Sequence, residues 1–130
     1  MTLTTTRPRT ASVLGRTTVT DVDGTRSTGT FELDASAGSA PLPSWTAATA
    51  VAGEARATVT VTAVLRGDDG ALDVHVEALV ERYTAGRASQ SGAVARWFSV
   101  AVGDSASPVL ETTWHGRTLR VELAFANGER

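Results

Sequence analysis

The chain has 130 residues, 42% of them hydrophobic and 20% charged, with a formal net charge of -2, 12 basic residues that are all arginine, and no cysteine. That is the size of one ordinary domain, too hydrophobic for a disordered chain and without an apolar run long enough for a membrane helix. The missing cysteines exclude a disulfide framework and any thiolate metal site, so the core must hold by packing alone.

Arginine without lysine is read as codon bias from a GC-rich genome. The arginines are spread from Arg7 to Arg130 and not massed on one element, which argues against a nucleic-acid footprint. Residues 1–9 hold four threonines, with Arg7 and Arg9 but no apolar centre of the secretory kind, so they are expected to form a flexible arm on a cytoplasmic protein. No membrane partner is expected.

From Thr10 onward the signal is period two, apolar and polar residues alternating as on a strand with one buried face. A first strand is predicted over about 10–20, then a turn at Asp21-Val22-Asp23-Gly24, then a second strand with Phe31 and Leu33 on its core side. The same turn, with Glu32 eleven residues after Asp21, approaches the pattern of a helix-loop-helix calcium loop. Arg26 stands where that loop needs glycine for its bend and Thr25 replaces an acidic ligand, so a plain hairpin turn is the expectation.

Residues 34–53 shift to Ala, Ser, Thr, Gly and Pro, including Pro41 and Pro43, and are predicted to form one long connection. A short helix over Trp45 to Ala52, capped by Ser44 and ended by Gly53, is expected within it. Ala55 to Arg66 then alternates strictly, and Gly67-Asp68-Asp69-Gly70 leads it into Ala71 to Val80 as a hairpin. The spacing of Val76, Leu79, Val80 and Tyr83 also admits a helix from Asp73 toward Gly86; the strand is preferred because the hairpin requires a partner. A polar connection over 84–92, a strand over 93–102, a turn over 103–108, a strand over 109–114, a tight His115-Gly116 turn and a last strand over 118–126 complete the chain.

About seven strands with short connections predict a single all-β domain over 1–130, an antiparallel meander forming a β-sandwich, with a small closed β-barrel as the alternative. No internal repeat is visible.

Two further constellations carry potential chemistry. Asp73, His75 and Glu77 fall on the polar side of one strand at two-residue steps, a pattern open to acid-base work or metal ligation. His115 or Glu111 would have to complete a metal set, so a solvated strand face is preferred and no metal or cofactor is expected. Trp97 and Trp114, with Arg96 or His115 at the mouth, are candidates to line a pocket or an interface, and Trp45 is the third tryptophan of a chain with seven aromatic residues. The strand holding Trp97 is apolar on both sides, as expected of a central strand or of one that meets a partner. No phosphate loop and no Gly-x-Ser-x-Gly elbow is present.

These residues support two functional expectations. The first is a non-catalytic binding or assembly module that uses a sheet face or edge with itself or with a protein partner, including service as an accessory subunit of an enzyme. The second is a compact β-barrel enzyme of the cyclase or isomerase kind acting on a small apolar molecule, with Asp73, His75 and Glu77 as its acid-base set.

Overall fold

The computed structural model describes residues 10–36, 44–84 and 87–128. Residues 1–9, expected as a flexible arm, lie outside them. Nine strands are present among the described residues, and no helix there is long and apolar enough to cross a membrane.

Strand β1 (Thr10–Thr20) and strand β2 (Arg26–Ser36) form the expected first hairpin, paired from Thr10 opposite Ser36 to Thr20 opposite Arg26. Asp21 closes the turn through its carbonyl to Gly24 N (3.0 Å) and its own N–H to Thr25 O (2.8 Å). Asp23 Oδ1 accepts from Thr25 N at 2.9 Å, and that bond holds its carboxyl below the usual range. The segment is therefore a hairpin turn.

Strand β3 (Ser44–Ala52) corrects the expected helix and shortens the expected long connection to residues 37–43, which lie outside the described residues. The reason is local. Trp45, Thr46, Thr49 and Val51 are aromatic or β-branched and suit a pleated surface better than a helix. Gly53, at φ 57, and Glu54 then make a two-residue turn into strand β4 (Ala55–Leu65), with Ala52 opposite Ala55. A residue read as a helix stop is the corner of a hairpin.

Strand β5 (Leu72–Thr84) pairs with β4 from Leu65 opposite Leu72 to Ala55 opposite Arg82, as the alternation predicted. The helical reading of this stretch fails because Val76 and Val80 point into the core and belong to a two-residue, not a four-residue, repeat. Strand β6 (Arg87–Val100) starts well before position 93, so the expected connection over 84–92 is instead paired strand around residues 85–86, which are outside the described set. Cross-strand pairing overrides the polar composition there, with one irregularity between Glu81 and Tyr83.

The two-residue strand β7 (Ser105–Ala106), strand β8 (Val109–Trp114) and strand β9 (Arg117–Asn127) finish the chain. His115 and Gly116 both take positive φ, 48° and 77°, the requirement of a two-residue turn that matches strand twist.

Two antiparallel sheets result. The first runs β2-β1-β9, with β7 and β8 laid end to end along the far side of β9; the second runs β3-β4-β5-β6. They are not closed into a barrel, so the β-sandwich is the architecture. Val13, Val19, Leu119, Val121 and Phe125 of the first sheet and Val59, Val61, Leu72, Val74, Val76 and Val80 of the second are fully or almost fully buried between them. One member of this interior is out of character. Thr17 Oγ1 is buried with no hydrogen-bond partner, and burial of an unmatched hydroxyl costs stability. Thr17→Val keeps the shape and removes the hydroxyl, so it is expected to stabilise the fold by about 1–2 kcal/mol; a urea midpoint unchanged or lowered would contradict this.

Candidate functional site

Because opposite residues on paired strands share a face, the register of the second sheet decides which side chains meet. Thr62, His75 and Trp97 form one row on its outer face, and the register sets the Trp45 backbone in line with them, opposite Thr62. The Trp45 side chain lies outside the described set. The His75 and Trp97 rings lie 4.5 Å apart, tilted by 39°, and Trp97 is 72% exposed. The indole is thus left largely in water, held on one side by the imidazole.

The next row holds Thr60, Glu77 and Ala95, and the one after it Thr58, Leu79 and Ala93. Glu77 is exposed and makes no hydrogen bond or ion pair among the described residues. At the near end, Asp73 is engaged: Arg66 Nε lies 3.0 Å from its carboxylate and Ser99 Oγ donates to it at 3.0 Å. At the far end, Arg56 Nε and Nη2 donate to Glu81 Oε1 at 3.2 and 3.0 Å. Val51, 51% exposed, extends the face onto β3. Between its charged ends the face is built of Thr, Ala, Val, Leu, His and Trp, with Glu77 as the lone carboxylate.

Asp73, His75 and Glu77 do share one side of β5, as expected. Outward side chains on a strand stand about 7 Å apart, and these three have different neighbours: an arginine and a serine, an indole, and water. Among the described residues no three His, Asp or Glu side chains group as a metal-ligand set.

The structure separates the two tryptophans that the sequence reading joined. Trp114 is half-buried beside the core, where a Cβ added at Gly92 would come within 2.8 Å of its own Cβ, so glycine is what lets the indole lie on β6. His115 stands edge-on to Trp114 at 4.6 Å. Arg96 pairs with Val76 and so occupies the core side of β6, yet it is exposed at the sheet edge. An open depression of about 700 Å3 lies elsewhere, on the first sheet's outer face among Leu14, Arg16, Thr30, Glu32, Glu122 and Ala124.

A buried ion pair escaped the sequence reading. Arg117 Nε lies 3.0 Å from Asp21 Oδ1, with side chains 9% and 6% exposed, though its N–H is not aimed along a hydrogen bond. Asp21 also accepts from Val22 N at 2.8 Å and Glu54 N at 2.9 Å. A Cβ at Gly53 would run into the Asp21 carboxylate. The Arg117 guanidinium sits 5.9 Å from the Trp114 ring centre. The cluster ties three turns from both sheets together. Its signal in the sequence was parity: Arg117 alternates with Leu119 and Val121, and Asp21 with Val13 and Val19, which places two charges on core positions.

No family model, no curated protein and no solved structure matches this chain.

Proposed function

We propose that this protein is a non-catalytic binding or assembly module whose working surface is the outer face of its second sheet, used with a protein partner or with itself. The observation that carries the reading is Trp97 on the outermost strand β6, 72% exposed and stacked on His75, on a sheet face whose stretch between Asp73 and Glu81 carries Glu77 as its one carboxylate. The first sheet's outer face is different in kind, with Arg120 paired to Glu111 and Glu122 across it. Ion pairs thus reach the central strand β9 on the first sheet's outer face, whereas on the second they stay at its two ends. Service as the accessory subunit of an enzyme fits the same surface, and the cysteine-free chain suits a reducing cytoplasm.

The compact-enzyme reading would have to work from the same Asp73, His75 and Glu77 row. It has less support, because these side chains stand on an open face with Asp73 already engaged by Arg66 and Ser99.

A photo-crosslinking residue placed at position 95, on this face, is expected to give a discrete adduct in the source cells that disappears with Trp97→Ala. The same probe at position 28, on the first sheet's outer face, should give none. Mass spectrometry of the adduct tells self-association from a partner, and light scattering across micromolar to millimolar concentration checks the former. Equal labelling from both positions, or none from 95, would overturn the reading.

A further inference from the structure

If the outer face of the second sheet is the working surface, one row of it states the chemistry of the partner. Glu77 on β5 lies opposite Ala95 on β6, and the outward residues on either side of Ala95 are Ala93 and Trp97. The row is therefore a notch running inward from the sheet edge. Ala95 is its floor with only a methyl group, the Trp97 ring braced by His75 is one wall, and the exposed Glu77 carboxylate closes the inner end.

The notch opens on the outermost strand of its sheet. Among the described residues β6 pairs with β5 on one side and has no backbone partner on the other. Natural sheets protect such edges with proline, with charges or by keeping them short. The edges of the first sheet carry such protection: Pro108 interrupts the line of β7 and β8, and β2 carries Arg26, Glu32 and Asp34. From Gly92 to Val100, β6 has no proline and one charge, Arg96.

We infer that the β6 edge accepts an extended segment of another protein as an added strand, with a lysine or arginine of that segment opposite Ala95. Strands in a sheet lie about 4.8 Å apart, so the added strand would stand about 10 Å from the backbone of Glu77. A long cationic side chain crosses that distance with its stem on Ala95, its flank along the Trp97 ring and its charge at the carboxylate. Main-chain bonds to β6 supply affinity and the notch supplies selection.

Charge argues against a second copy as the occupant. In antiparallel pairing of β6 with itself about a two-fold axis, outward residues oppose outward residues. Those from Ala93 to Ser99 are Ala93, Ala95, Trp97 and Ser99, none of them a cation, while Arg96 falls on the opposite side.

The test uses short acetylated peptides alternating valine and threonine, with arginine, norleucine or glutamate at the centre, titrated into the isotope-labelled full chain. The arginine peptide is expected to shift the amide signals of Ala93 to Ser99 and the Trp97 indole saturably. The norleucine and glutamate peptides should bind about tenfold more weakly. Glu77→Gln should abolish the preference for arginine over norleucine while leaving the free spectrum of the core unchanged. Equal binding of the three peptides at β6 overturns the cation notch and leaves the wider surface reading intact. Shifts confined to another edge, or pairing of β6 with a second copy, overturn the added strand.

Discussion

Asp21→Ala is expected to lower folding stability by about 3–5 kcal/mol, the usual consequence of leaving a buried charge without its partner. The Arg117 guanidinium would remain at 9% exposure with Glu54 4.0 Å away as its remaining carboxylate neighbour. The N–H groups of Val22 and Glu54 would lose the oxygens they donate to. Thermal or urea unfolding of the variant measures the loss. The double variant Asp21→Ala with Arg117→Leu should recover part of it, because no charge is then buried, and the cycle should show a coupling of at least about 1 kcal/mol. A loss below about 1 kcal/mol for Asp21→Ala alone would mean that water or Glu54 satisfies the arginine and that the pair does not hold the turns.

The second large effect is expected at the other end of the molecule. Asn127 is buried at the end of β9, and its Nδ2 donates to Gly70 O at 3.0 Å and to Val100 O at 2.7 Å. It thus joins the β4–β5 loop and the end of β6, both in the second sheet, to the last strand of the first. Asn127→Leu conserves volume and removes both hydrogen bonds that the amide donates to these carbonyls. The expected cost is about 2–4 kcal/mol, read from the urea midpoint, with faster hydrogen exchange in the 66–71 loop. A cost no larger than that of a surface substitution would show that the carbonyls find other donors.

The alternation of Val59, Val61, Val74, Val76, Leu119, Val121 and Phe125 made the two-layer interior legible, because burial on a strand repeats every second residue whatever the tertiary arrangement. The His115-Gly116 corner was legible for the same local reason. What failed was length and partnership. Ser44–Ala52 has too few bulky residues to display a period, and its strand identity comes from Gly53 folding it back on β4. Thr84 and residues 87–92 look like a loop by composition and are strand by pairing. On the surface side, the shared direction of Asp73, His75 and Glu77 followed from parity. The stacking of His75 on Trp97 did not, since it depends on which strand lies beside β5 and in what register. The same ignorance of register joined Trp97 with Trp114, which stand on different sides of β6.

The order of the strands also sets the route by which the chain reaches this state. Between β1 and β9, segments at opposite ends of the described sequence, the pairing spans 98 to 116 positions, from Thr20 opposite Thr118 to Ala11 opposite Asn127, while every other ladder joins near neighbours. Nearby ladders form early because little loop entropy opposes them. The meeting of first and last strand is the step that must wait, and until it happens half of the hydrophobic interior has no lid.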